Sequence, residues 1–155
     1  MESIAFIQAT AADISLLLDM RREFSYELVG KQTDELERAL DESQTEYFSR
    51  ELNKNYFCWY ATVNGEPAAI AGMTLRTQPG SIKNPSGRWG YLMLVYTKPQ
   101  YRKRGLSGQV VQRLIATAKE QRVTALELHA TPEGEPVYVR EGFIHFNEPT
   151  YRMYF

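Results

Sequence analysis

Four cations, Lys98, Arg102, Lys103 and Arg104, crowd the turn just ahead of Gly105, and a helical pattern opens behind them at Leu106. That helix carries no acidic residue until Glu120. A helix start ordinarily favours Asp or Glu, because its free N–H groups and the macrodipole make that end partially positive. Here the end is left uncompensated, and basic side chains are added in front of it. Gly105 and Gly108 let the backbone bend and come close to a ligand. Residue types in this order suit an anion, most naturally phosphate.

The elements that must position this turn follow from periodicity. Tyr91–Thr97 is apolar on both faces, the pattern of a central covered strand, and Pro99 stops it. Beyond Gly105, residues Leu106, Val110, Val111, Leu114, Ile115 and Ala118 line one helical face. Ala125–Ala130 alternates, with Leu126, Leu128 and Ala130 on one side and Glu127 and His129 on the other. A strand after that helix implies a right-handed parallel crossover.

Upstream, Ile4–Gln8 reads as a strand, and Thr10 with Asp13 reads as a capping box. Ile14, Leu17, Leu18, Phe24 and Leu28 predict a first helix ended by Gly30. A second helix starts at Thr33 or Asp34, with Leu36, Leu40, Tyr47 and Phe48 inward. Its other face holds Asp34, Glu35, Glu37, Asp41, Glu42 and Glu46, either a solvated face or a rim attracting a cationic substrate. Two strands, Tyr56–Val63 and Pro67–Thr77, meet at Asn64-Gly65, a strong hairpin signal. Gln78–Gly87 is a turn-rich loop, functional or merely flexible. A short helix near Pro136–Glu141 closes at Gly142, and Phe143–Phe146 with Thr150–Phe155 predicts a terminal hairpin. The fold class is α/β (α+β), a mixed, mostly antiparallel central sheet of about six to seven strands flanked by about four helices. No linker or repeat divides residues 1–155, so one domain is expected.

Composition narrows the function. A net charge of −1 gives no general attraction to nucleic acid or membrane, so the cations before Gly105 are a local concentration. The lone cysteine, Cys58, has no partner for an internal disulfide, which suits a reducing cytoplasm. It sits in Phe57-Cys-Trp-Tyr-Ala61 and reads as a buried structural thiol. No signal-peptide pattern or bilayer-spanning run is present, so a soluble cytoplasmic protein is expected. His129 and His145 with one Cys give no metal-ligand spacing. No Walker A loop, dinucleotide fingerprint or Gly-x-Ser-x-Gly elbow occurs. Gly105-Leu-Ser-Gly108 does match the Gly-x-x-Gly of KH nucleic-acid modules, but there the loop joins two helices. Here a β-rich run and Pro99 come first.

Thr97-Lys-Pro-Gln-Tyr-Arg-Lys-Arg-Gly-Leu-Ser-Gly108 resembles the acetyl-CoA loop of the GNAT superfamily of N-acetyltransferases, whose signature is Gln/Arg-x-x-Gly-x-Gly/Ala. Arg102 and Gly105 match its first two fixed positions. Ser107 stands where Gly or Ala is usual, small enough to keep close backbone approach. Leu128-His-Ala-Thr-Pro-Glu-Gly134 and Val137-Tyr-Val-Arg-Glu-Gly-Phe143 resemble the family's following strand and its Tyr-x-x-x-Gly-Phe helix end.

The resemblance implies direct transfer of acetyl from acetyl-CoA to an amine, with no metal and no covalent enzyme intermediate. Backbone N–H groups across Arg102, Lys103, Arg104, Gly105, Leu106, Ser107 and Gly108 would hold the CoA pyrophosphate. The strand edge at Val95, Tyr96 and Thr97 would pair with the pantetheine arm, and an N–H near Val95 would face the thioester oxygen. Tyr96 would line the acceptor pocket or belong to the core. Tyr138 takes the family's general-acid position; a phenol of pKa ~10 can protonate a leaving thiolate of pKa ~8.5 at little cost. Glu127 or His129, directly or through a water, would remove the amine proton, with Glu23 and Glu27 as weaker candidates. The expected acceptor is a primary amine of a small molecule or peptide end, the alternatives being protein lysine or a non-catalytic CoA-binding module. A homodimer is left open.

Overall fold

A computed structural model describes residues 1–155. Strands β1 (Ile4–Gln8), β2 (Tyr56–Val63), β3 (Glu66–Thr77) and β4 (Arg88–Thr97) pair antiparallel in that order, and β5 (Ala125–Glu127) joins β4 in parallel. Helices α1 (Ile14–Val29) and α2 (Asp34–Glu51) lie between β1 and β2. Helix α3 (Leu106–Glu120) connects β4 to β5, and α4 (Glu135–Arg140) follows.

The mixed, mostly antiparallel class agrees with the sequence reading, but the sheet has five strands rather than six or seven. Residues 143–155 form no hairpin, and β5 stops at Glu127 instead of reaching Ala130. The cause lies in β5. It contacts β4 over three residue pairs only, too short an edge to template further strands. Ile144, Tyr151, Met153, Tyr154 and Phe155 are consequently exposed.

Two apolar layers sandwich the sheet. Leu106, Val110, Val111 and Leu114 of α3 pack with Phe57, Ala71, Met73 and Leu92 on one face. Each of those four helix side chains is almost wholly buried, contributing about 1.5–3 kcal/mol apiece. On the other face Leu17 and Met20 of α1 and Phe48 of α2 meet Tyr56, Cys58, Tyr60, Ile70 and Tyr96. Cys58 is fully buried, and desolvation drives its thiol far above the ordinary range. The β2–β3 turn has positive φ at Asn64 (51°) and Gly65 (83°), the geometry that this dipeptide favours.

Helices α1 and α2 are joined by charge as well. Arg21, buried, reaches Glu37 at 3.4 Å, Asp41 at 2.6 Å and Gln44 at 2.9 Å, and Arg22 reaches Asp41 at 2.8 Å. The acidic face of α2 is therefore partly an internal interface. Lys31 and Arg50 pair with Asp34 and Glu46, which lowers the rim's pull on a cation further. Leu28, Val29 and Leu36, at the α1–α2 turn, are exposed although periodicity turned Leu28 and Leu36 inward.

The Gln78–Gly87 loop is organised around Asn84. Its side chain, 2 % exposed, donates to Arg88 O at 3.0 Å and accepts from Thr124 Oγ1 at 2.7 Å. This ties the loop to the start of β5.

Candidate active site

The β3–β4 register places Ile70 opposite Tyr96 and Gly72 opposite Met93, so Ala71 faces two residues, Leu94 and Val95. This is a bulge, and Leu94 takes φ 54°, a left-handed conformation uncommon for a bulky side chain. The bulge bends β4 away from β5, whose ladder covers only Trp89, Gly90 and Tyr91. Beyond Tyr91 the β5-side edge of β4 has no strand partner. Before the fork the two strands are tightly closed. A Cβ at Gly90 would come within 2.7 Å of Leu126 Cδ2 and Met73 Sδ.

Past the bulge, Val95 packs on the α3 layer, while Tyr96 is buried opposite with Phe24, ring centroids 5.4 Å apart. The Tyr96 side chain is thus core. Burial first, then Glu27 and Glu23, raise its phenol pKa. Thr97 Oγ1 is a buried polar atom with no hydrogen-bond partner.

The edge runs into the turn before α3. Arg102 N–H bonds to Pro99 O and Gln109 N–H to Gly105 O, whereas the N–H groups of residues 103 through 108 bond to nothing in the chain. Lys103 (φ 59°) and Gly105 (φ 75°) are both left-handed, and Gly105 caps α3. At Gly105 the reason for glycine is φ, since an added Cβ would meet nothing within 4 Å. At Gly108 the only near atom is Glu141 Oε1 at 3.6 Å.

The cations divide. Arg102 Nη2 contacts both Glu27 oxygens at 2.6 Å, and its Nε donates to Thr97 O at 2.9 Å. Lys98 pairs with Glu23 at 3.0 Å, and Arg104 with Glu2. Lys103 has no carboxylate partner. Arg102 and Lys98 thus fasten the turn to α1, and the anion-seeking groups are chiefly backbone N–H.

Tyr138 stands in α4, and the residues after it explain its placement. Gly142 N–H bonds to Val139 O at 3.1 Å and Phe143 N–H to Tyr138 O at 3.0 Å, with Gly142 at φ 97°. This is a Schellman motif. Its apolar contact is Phe143 against Tyr138, ring centroids 6.0 Å apart at 72°. The Tyr-x-x-x-Gly-Phe spacing is therefore the cap that fixes the ring in the α3 layer. Tyr138 is 8 % exposed, its hydroxyl bonds to no protein group, and burial pushes its pKa up to about 12.

Glu127 and His129 are both exposed on the sheet face away from α3, but in different company. Glu127 Oε1 accepts from Arg76 Nη2 at 3.1 Å. His129 Nδ1 lies 2.7 Å from Tyr91 Oη, and its Nε2 3.4 Å from Thr150 Oγ1. Glu23 and Glu27 are engaged by Lys98 and Arg102. Sequence reasoning missed Tyr91, Arg76 and Thr150. The signal for Tyr91 was its position two residues before Met93, on the face opposite Leu92, and it needed the β4–β5 register to be read. No group of three or more His, Cys, Asp or Glu converges as a metal site would, and no helix is long and apolar enough to cross a membrane.

A parallel strand pair that parts after three rungs thus stands ahead of a helix start rich in unpartnered N–H. The chain belongs to the acetyltransferase (GNAT) family, whose model matches residues 18–143. Among solved structures, it is similar to a predicted acetyltransferase with acetyl-CoA from Clostridium acetobutylicum. That similarity is 29% identity and a TM-score of 0.85, over 97% of this chain and 96% of that one. A GCN5-related N-acetyltransferase from Ralstonia eutropha JMP134 shares 23% identity, TM-score 0.82, over 97% and 99% of the two chains. A ribosomal-protein-alanine N-acetyltransferase from Brucella melitensis biovar Abortus 2308 has the same fold at 15% identity, TM-score 0.71, over 99% of each chain. No curated protein matches the sequence significantly. Family and neighbours together imply acetyl-CoA as co-substrate. The orphaned Thr97 Oγ1 and the free N–H run fit a long ligand with a phosphate-bearing end.

Proposed function

We propose that the protein is an N-acetyltransferase that moves acetyl from acetyl-CoA to a primary amine of a small molecule or peptide end. One observation carries the reading: the unpaired β4 edge leads, through a single 3-10 turn at Pro99–Tyr101, to the free N–H groups of residues 103–108. Acetyl-CoA, when bound, supplies an activated acyl group on a thioester. The N–H groups of Lys103, Arg104, Gly105, Leu106, Ser107 and Gly108 hold its pyrophosphate, with the α3 dipole adding to the attraction. The backbone at Val95, Tyr96 and Thr97 pairs with the pantetheine arm as an added strand does. The N–H near Val95 stabilises charge on the thioester oxygen.

Tyr138 is the general acid. Burial raises its pKa to about 12, so the phenol stays protonated at any working pH. The same dry surroundings favour a protonated thiol over a free thiolate, which keeps donor and acceptor matched. The remaining reading within the family, transfer to protein lysine, shares all of these groups.

The test is CoA release from acetyl-CoA across a panel of small alkylamines, peptide N-termini and lysine peptides. Turnover with at least one of them supports the proposal, and the preferred class identifies the acceptor. Stabilisation by acetyl-CoA without turnover of any amine would make the protein a CoA-binding module instead.

A further inference from the structure

At the fork between β4 and β5, on the face away from α3, one hydrogen-bonded group joins two strands to the C-terminal segment. Tyr91 pairs with Glu127 in the last rung of the ladder. His129 lies two residues past that rung, beyond the end of β5, and Met93 two residues past it on β4, immediately before the bulge at Leu94. Met93 is 40% exposed in the middle of an interior strand, so this face is open beside the fork. The Tyr91 and His129 rings meet at 60°, centroids 5.7 Å apart, with Oη 2.7 Å from Nδ1.

We propose that Tyr91 and His129 are a proton relay for the acceptor amine, which is therefore a basic alkylamine, protonated at neutral pH; this rests on the N-acetyltransferase reading. The ammonium N–H bond breaks and its proton goes to Tyr91 Oη. The phenol proton passes along the 2.7 Å bond to His129 Nδ1, leaving a neutral amine, a neutral phenol and an imidazolium. His129 is exposed and returns the proton to water.

The neighbours fit these roles. For Nδ1 to accept, the neutral imidazole carries its proton on Nε2, which faces Thr150 Oγ1 at 3.4 Å. Thr150 is thus a positioning residue that selects the tautomer. Glu148, from the same segment, is turned to Lys83 at 3.9 Å. Glu127 is held by Arg76, whose guanidinium packs 4.8 Å from the Tyr91 ring centroid. That contact fixes the phenol and takes Glu127 out of the proton path.

The experiment compares Tyr91→Phe, His129→Gln and Thr150→Ala with wild type, using alkylamine acceptors and aromatic amines that are neutral at pH 7. An aromatic amine needs no proton removed before attack, so it reports everything except the relay. Tyr91→Phe and His129→Gln are expected to lower kcat/KM for alkylamines about 100-fold and for aromatic amines only a few-fold. In both variants activity should climb with pH until the amine loses its proton unaided. Thr150→Ala should lose less, and Thr150→Ser should restore it. Equal thermal stabilisation by acetyl-CoA shows that each variant is folded with its donor site intact. Equal losses on both amine classes, or no loss, overturn the relay while leaving an active wild type as an N-acetyltransferase. A wild type that binds acetyl-CoA yet turns over no amine overturns both.

Discussion

Replacing Tyr138 by Phe separates chemistry from folding. The hydroxyl makes no hydrogen bond within the protein, so its removal leaves no partner stranded. Stability at neutral pH should stay within about 1 kcal/mol of wild type, on the stabilising side. A general acid contributes roughly 10²–10⁴ in rate, so kcat should fall at least ~100-fold, about 2.7 kcal/mol of barrier, with acetyl-CoA affinity little changed. The alkaline behaviour provides a second measurement. The folded pKa of about 12 lies above the ordinary ~10, so the native state holds this proton more tightly than the unfolded chain. That contribution is complete below pH ~10 and is lost as pH rises toward about 12, a change of up to ~2.7 kcal/mol that the variant lacks. Urea unfolding between neutral and alkaline pH reads this difference, and CoA release reads the rate. An unchanged kcat with a good acceptor would remove Tyr138 from the reaction. A wild-type kcat that falls near pH 10 through this residue would show the phenol solvated rather than buried.

Ser107→Asp should have opposite effects on folding and binding. A carboxylate in the first turn of α3 adds about 0.3–1 kcal/mol of stability, read as a higher urea midpoint, while acetyl-CoA binding by calorimetry should weaken at least ~10-fold. Arg21→Ala strands buried Glu37 and should cost about 3–5 kcal/mol in denaturant unfolding. Gly90→Ala drives a methyl against Leu126 and Met73, and should cost about 1–3 kcal/mol and loosen hydrogen-exchange protection in β5.

Local chemistry made much of this legible in the sequence. The Asn64-Gly65 turn, the acid-free start of α3 and the Gly142 cap each depend on a few neighbouring residues, and each stands where the pattern put it. What escaped depends on register between distant segments. The bulge at Leu94 has no local signature, because nothing in Tyr91-Leu-Met-Leu-Val-Tyr96 forbids a regular strand. The partners of the cations escaped for a related reason. The crowding of the cations is visible along the chain, but Glu23, Glu27 and Glu2 come from elsewhere, so Arg102 and Lys98 fasten the turn instead of facing outward. Tyr91 and His129 lie far apart in sequence and meet only through the parallel ladder.

The buried Cys58 has a practical meaning for an enzyme whose product is itself a thiol. It is the chain's only cysteine, it is sealed between the sheet and α1–α2, and its thiol is held protonated. Thiolate attack on disulfides is therefore closed to the native protein. Oxidised CoA has nothing on the enzyme to form a mixed disulfide with. A thiol-detecting dye added during turnover counts released CoA alone, and a sudden signal from the protein itself would mark its unfolding.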